Sequence, residues 1–223
     1  MILAIDGPAG AGKSTVSKMV AQQLGFTCLD TGAMYRAVAW RAVADGVALD
    51  DAQALGRIAR EVPISFDYEP GNLSPTAVYI GGNDVTLAIR TAEIDKAVSP
   101  VSAEPLVRKA LVSQQQRIGA SGNYVVEGRD IGTVVFPDAQ LKIYLFASAE
   151  ERARRRVAQN AERGVGLTDY DAVLADIIRR DDYDSSRASS PLKPAEDAVM
   201  LDSTKLSIEE VVEKICDLAR ERN

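Results

Sequence analysis

Residues 1–25 read MILAIDGPAGAGKSTVSKMVAQQLG, and the fold class turns on this stretch. Ile2 to Ile5 is a short apolar run of the kind that forms a buried parallel strand. Gly7, Pro8, Ala9, Gly10, Ala11 and Gly12 make a glycine-rich turn that leads into Lys13, Ser14 and Thr15. Beyond them Val16, Met19, Val20 and Leu24 recur at helical spacing, and Gly25 is placed to end a helix. Gly7 to Ser14 therefore fits G-x-x-x-x-G-K-[ST] in the strand–loop–helix context that the pattern requires. Glycines remove the Cβ that would keep a phosphate from the backbone. Loop N–H groups and a helix N-terminus then offer fixed positive partial charge to an anion. Lys13 adds a full charge at the β- and γ-phosphates, and the Ser14 hydroxyl can ligate Mg²⁺. The stretch implies a bound nucleoside triphosphate.

Composition narrows the setting. A chain of 223 residues can bury a full core as one domain, or as a domain with an inserted piece. A formal charge of −6 argues against a protein that coats nucleic acid. Local clusters stand out against it: Arg152, Arg154, Arg155 and Arg156, then Arg179, Arg180 and Arg187. Such clusters suit small anionic ligands. The chain has no histidine, so triad chemistry is excluded, and Cys28 and Cys216 are too far apart to form metal-ligand spacing. No basic region precedes the first apolar run, which is too short for a membrane span. A soluble, cytoplasmic, reducing setting is the expectation.

Further along, Phe26 to Leu29 reads as a second strand, and Asp30 or Thr31 can cap the helix carrying Met34, Val38 and Val43. Arg36 falls one turn into that helix, near a strand's carboxyl end, where ligands sit in open α/β sheets. Residues 50–61 are amphipathic. Residues 63–89 alternate and turn, which predicts a small antiparallel insert. Thr91 can cap a helix that Ser99-Pro100 should break, with a long helix from Ala103 to Ile118. Asn123 to Glu127 is a third strand running into Gly128-Arg129-Asp130-Ile131-Gly132-Thr133. Charge at that edge of a buried sheet marks Arg129 and Asp130 as functional.

Leu141 to Phe146 is the fourth strand, and Ser148 can cap an arginine-rich helix. Gly164-Val165-Gly166 interrupts it, and Tyr170 to Arg180 resumes as a helix that ends in Arg180-Asp181-Asp182-Tyr183-Asp184-Ser185-Ser186-Arg187. The pair suggests a lid closing over phosphates, with some arginines left unpaired by i,i+4 acids and free to ligate phosphate. Ala198 to Asp202 is the fifth strand, and Ser207 with Glu210 forms a capping box for the last helix. Alternating strands and helices predict an α/β fold: a five-stranded parallel sheet wound by helices, with the β insert and a short, zinc-free helical lid.

Three classes use such a loop. A GTPase switch should show D-x-x-G and N-K-x-D, and the chain contains neither. Nothing in it asks for a motor or transport ATPase. A phosphotransferase between two anionic nucleotides needs arginines to offset their repulsion and a lid to exclude water. Arg36, Arg129, Arg180 and Arg187 meet that demand, and no general base is needed because an acceptor phosphate oxygen is already a nucleophile. Another small-metabolite kinase, or a regulatory module that binds ATP without acceptor turnover, stays open on these residues alone.

GPAGAGKS, LDTGAMYR, IRT, VVEGRDIGTVVFPDA, RRDDYDSSR and LDSTKLS, in this order, resemble the bacterial cytidylate kinases along essentially the whole chain. The resemblance implies a P-loop kinase fold and Mg²⁺- and ATP-dependent phosphorylation of CMP and dCMP by a monomeric cytoplasmic enzyme with no nucleic-acid or membrane partner. It implies one kinase domain over 1–223, with a monophosphate-binding region at 31–108, its β insert at 63–89, and a lid at 152–187. Gly7 to Thr15 then hold the ATP phosphates, with Lys13, Arg36, Arg129 and Arg180 as the catalytic group. Thr31 and Arg36 match positions at the acceptor phosphate, and Ser99, Arg108 and Asp130 match those that read cytosine. Arg129 and Arg180 match phosphate-binding arginines, and Asp184 and Arg187 match the sugar and base side. Arg155 and Arg156, in the lid, face the donor phosphates. A carboxylate such as Asp130 can accept from cytosine's amino group, where uracil presents an oxygen. Thr31 departs from the serine of some relatives but keeps the hydroxyl.

Overall fold

The computed structural model describes residues 1–164, 166–187 and 189–222. Val165, in the turn expected between the two arginine-bearing helices, lies outside the described residues. In chain order the first elements are β1 (Ile2–Asp6), α1 (Lys13–Leu24), β2 (Thr27–Asp30), α2 (Thr31–Ala44), α3 (Ala52–Glu61), β3 (Ile64–Asp67), β4 (Ala77–Ile80) and β5 (Asn83–Asp84). Next come α4 (Ala92–Ala103), α5 (Pro105–Gly119), β6 (Tyr124–Gly128) and β7 (Leu141–Phe146). The chain ends with α6 (Ala149–Arg163), α7 (Tyr170–Ser185), β8 (Val199–Asp202) and α8 (Ile208–Arg220). Residues 1–28 with 122–223 form one compact unit, and residues 29–121 form a second.

The five apolar runs read as strands make one five-stranded sheet in the order β2-β6-β1-β7-β8, as expected. In it β1 runs parallel to both β6 and β7, with Ile5 opposite Glu127 on one side and Ile143 on the other. Leu3, Ala4 and Ile5 are wholly buried because this central strand is covered on both faces, which is why its sequence does not alternate. On one face Val16 and Val20 of α1 and Val211, Val212 and Ile215 of α8 close over Leu3, Ile5 and Ile143. Each such aliphatic side chain contributes roughly 1.5–3 kcal/mol by leaving water. The side chains of Cys28 and Cys216 are buried inside this core. The Ser207–Glu210 capping box opens α8 as the sequence predicts.

Helix α6 starts at the expected Ser148 cap, whose hydroxyl accepts from the Glu151 N–H, and Gly164 ends it in the left-handed region. It packs on α7 through Ala153, Val173 and Ile177. Helix α7 does not stop at Arg180 but runs to Ser185. The acidic stretch continues the helix because Asp184 points inward, only 2 % exposed, instead of sitting in a solvated loop.

In the second unit Asp30 caps α2 by accepting from the Ala33 N–H, and Asp51 caps α3 in the same way. The expected antiparallel insert is a sheet of its own, β3-β4-β5, with Phe66 opposite Val78. The break expected at Ser99-Pro100 is absent, because α4 continues through Pro100 to Ala103. Burial of Ile94, Ala97, Val98 and Val101 along one face outweighs the hydrogen bond that proline removes. The chain breaks at Glu104 instead, where Pro105 opens α5 at a position that needs no N–H donor.

Candidate active site

The glycine loop closes tightly around its own lysine. Lys13 is 7 % exposed, and its Nζ donates to the carbonyls of Gly7 at 2.9 Å and Pro8 at 2.8 Å. Burial, and then the charge of Arg129, drive its ammonium well below the ordinary lysine range, while Glu127 and Asp6 oppose them. A Cβ on Gly7 would stand 1.9 Å from the Leu145 carbonyl oxygen, so only glycine lets the loop leave β1 against β7.

Two buried carboxylates that the sequence reading left unassigned stand behind the loop. Ser14 donates its hydroxyl to Glu127 Oε2 at 2.9 Å, and Glu127 is 4 % exposed near the end of β6. The parallel register of β1 and β6 brings them together across 113 residues. Asp6, at the end of β1, accepts the N–H groups of Ile131 and Gly132, both at 2.7 Å. Burial pushes its carboxyl up from 3.8 to about 6, against the pull of those two donors. The two bonds anchor a π-helical turn over Ile131–Val135 that follows Arg129 and Asp130. The signal for Glu127 was an acid closing an apolar strand. For Asp6 it was an acid immediately before the glycine loop.

The arginines of this unit converge on the loop and on α7. Arg129 donates Nη1 to the Gly7 carbonyl at 3.0 Å and Nε to Asp184 at 3.1 Å. Asp184 also pairs with Arg187, whose guanidinium lies 5.4 Å from the centre of the Tyr183 ring. Asp130, 4 % exposed, follows Arg129 directly. A cavity of about 80 Å³ opens beside Ala9, lined among others by Arg156, Val173, Ile177 and Arg180. Its two guanidinium groups, set against the one carboxylate of Asp176, give it the positive charge an anion needs.

Acids at i,i+4 do not face every arginine, as expected, but ion pairs of other kinds engage several of them. Arg155 pairs with Glu151 at 3.0 Å and donates to the Ser203 hydroxyl and carbonyl at 3.1 and 2.6 Å. Arg154 also reaches Glu151, Arg179 pairs with Asp176, and Arg152 pairs with Asp181. Of these only Arg155–Glu151 is an i,i+4 pair; Arg154–Glu151 and Arg179–Asp176 are i,i+3 pairs, and Arg152–Asp181 joins two helices. Ion pairing does not remove an arginine from phosphate binding, since five donors leave room for a second partner.

The remaining residues of the expected site belong to residues 29–121. Arg36 donates to the Ile89 carbonyl at 3.0 Å and pairs with Asp95. Arg108 is 5 % exposed, donates to the Ser102 carbonyl at 3.0 Å and lies 5.4 Å from the centre of the Tyr35 ring. The Ser102 hydroxyl in turn donates to the Ser99 carbonyl at 3.1 Å. Ser99, Ser102, Arg108 and Tyr35 thus form one polar constellation, and the unbroken α4 is what presents its two serines together. Thr31 is buried at the first position of α2.

A family model described as cytidylate kinase matches residues 3–221. The chain belongs to the cytidylate kinase family. Its relatives in that family include the cytidylate kinase of Shouchella clausii, 47 % identical over 221 residues that cover 99 % of this chain and 96 % of that one. The cytidylate kinase of Mycolicibacterium paratuberculosis is 49 % identical over 224 residues, covering 100 % and 96 %. The bifunctional pantoate ligase/cytidylate kinase of Trichormus variabilis is 49 % identical, covering 99 % of this chain and 41 % of its own. Among solved structures, an uncharacterized protein from Eubacterium ventriosum shares the fold at 12 % identity and a TM-score of 0.51, covering 100 % and 99 %.

Proposed function

We infer that this protein transfers the γ-phosphoryl group of ATP to CMP or dCMP, giving ADP and CDP or dCDP. The observation that carries the reading is Arg129, one guanidinium bonded both to the P-loop carbonyl of Gly7 and to Asp184, within a chain that matches the cytidylate kinase family end to end. An oxygen of the acceptor monophosphate attacks the γ-phosphorus in line, and the bond from that phosphorus to the β-phosphate oxygen breaks. Lys13, buried and short of neutralising charge, gains its compensation when a triphosphate arrives. Gly7 to Thr15 take the donor, Arg155 and Arg156 its outer side, and Arg36, Arg129 and Arg180 the transferring and acceptor phosphates. Thr31, Ser99, Arg108, Asp130, Asp184 and Arg187 bind the acceptor nucleoside and its surroundings.

The pairing of Ser14 with the buried Glu127 carboxylate fits a divalent cation, because a hydroxyl backed by an anion is a ligand for hard Mg²⁺. Mg²⁺ bound there supplies charge neutralisation at the transferring phosphates. Among the described residues no group of three or more acids or cysteines could hold a metal. A Mg²⁺ ion shared with the nucleotide is the arrangement that suits such a donor set.

Residues 31–108 serve as the monophosphate-binding region, with the insert at 63–89, and 152–187 as the lid. The enzyme works as a cytoplasmic monomer, with no nucleic-acid or membrane partner; no helix among the described residues is long and apolar enough to cross a membrane. A coupled ADP-release assay with CMP, dCMP, UMP and AMP tests the function. CMP and dCMP should turn over at least about tenfold better in kcat/KM than UMP or AMP. Equal turnover of UMP would remove cytosine recognition, and ATP binding without turnover of any acceptor would make the chain a binding module.

A further inference from the structure

We propose that Arg152 is a positioning residue that ties the donor loop to the helix bearing Arg180 and Asp184, so that the two halves of the phosphate site move as one. The proposal rests on the kinase reading above for its functional meaning, and its geometry stands independently. Arg152 is 5 % exposed and uses every nitrogen of its guanidinium. Nε donates to the Ala147 carbonyl at 3.0 Å, just past β7, and Nη1 to the Ala9 carbonyl at 3.1 Å, inside the glycine loop. Nη2 pairs with Asp181 of α7 at 2.7 Å.

The bond to Ala9 has a consequence for the loop. A trans peptide is planar, so its carbonyl and the next N–H point in opposite directions. Turning the Ala9 carbonyl toward Arg152 turns the Gly10 N–H away from α6, a direction in which it can donate to an anion. Gly10 itself allows the approach. A Cβ there would stand 3.2 Å from the Arg152 Cβ, and the residue's φ is +76°. On the other side, Asp181 Oδ1 is buried and has no hydrogen-bond partner among the described residues. The Arg152 guanidinium is therefore the main compensation for that carboxylate, and α7 is held where its neighbour Arg180 and Asp184, one turn on, lie beside the loop. Asp181 need touch no nucleotide for its loss to disturb the P-loop.

The test is a double-mutant cycle on the full-length enzyme with Arg152→Lys, Asp181→Asn and the pair, with thermal midpoints measured in parallel. Each single change should lower kcat at least about tenfold and raise the KM for ATP. The double variant should be no worse than Arg152→Lys alone, a non-additivity of about tenfold or more. Asp181→Asn should also shift the amide resonance of Gly10 in the nucleotide-free protein. A purely structural pair would lower activity only in step with the folded fraction and leave that resonance in place. Additive effects, or an unmoved Gly10 amide in Asp181→Asn, would overturn the proposal. Should Arg152→Lys fail to fold, Asp181→Asn alone decides through the Gly10 resonance and the KM for ATP. A wild-type enzyme inactive on CMP would sink the kinase reading and leave the Gly10 test intact.

Discussion

Replacing Asp6 by asparagine should change how stability depends on pH, and the size of the effect follows from the position of that carboxyl. Its folded value of about 6 lies above the ordinary 3.8, so the folded state holds a proton that the unfolded chain has already released. A raised folded value means the contribution is fully present below pH 3.8 and is lost as pH climbs through 6. A gap of about two units corresponds to about 3 kcal/mol, of which about 2 kcal/mol is lost between pH 4.5 and 7. The asparagine side chain cannot titrate, so the variant lacks this slope. It also offers one acceptor oxygen to the two N–H groups of Ile131 and Gly132, a loss of about 1–3 kcal/mol for the orphaned donor. Urea denaturation of both proteins at half-unit steps from pH 4.5 to 8 gives the difference curve directly. The variant should be the less stable at pH 4.5, and the gap should narrow by about 2 kcal/mol as pH rises to 7. Parallel curves would show that the two backbone donors outweigh burial, leaving Asp6 ionised throughout.

Three further substitutions probe the proposed roles. Glu127→Gln keeps an acceptor for the Ser14 hydroxyl but removes the charge, and the Mg²⁺ concentration giving half-maximal turnover and half-maximal ATP binding should rise on the order of tenfold; an unchanged Mg²⁺ titration would place the cation elsewhere. Arg36→Ala should raise the KM for CMP and lower kcat, each by roughly tenfold or more, while stability changes by less than about 1 kcal/mol because its Asp95 pair is partly exposed; steady-state kinetics in both substrates would refute the placement if only the KM for ATP moved. Asp130→Asn should cost at least about tenfold in the kcat/KM preference for CMP over UMP, and an unaltered ratio would move base recognition to Arg108 and Ser99.

The residues proposed to face a ligand were legible in the sequence, and those that stand behind them were not. Lys13 and Ser14 are announced by a pattern of fixed local spacing, because a strand, a tight turn and a helix must follow one another to make an anion cradle. Asp6, Glu127 and Arg152 have no such signature. Each has a partner 113 to 143 residues away along the chain, brought near by the strand order β6-β1-β7. Local rules failed in the same way at Pro100 and past Arg180, where burial of one helix face decided the conformation against proline and against an acidic run. Contacts between elements also engage arginines that have no acid four residues away on their own helix, as Arg152 shows. Arg129 and Arg152 each meet one α7 carboxylate and one loop carbonyl, those of Gly7 and Ala9. The glycine motif therefore names the proposed phosphate cradle, while the guanidinium groups behind it bond the loop's carbonyls to the carboxylates of α7.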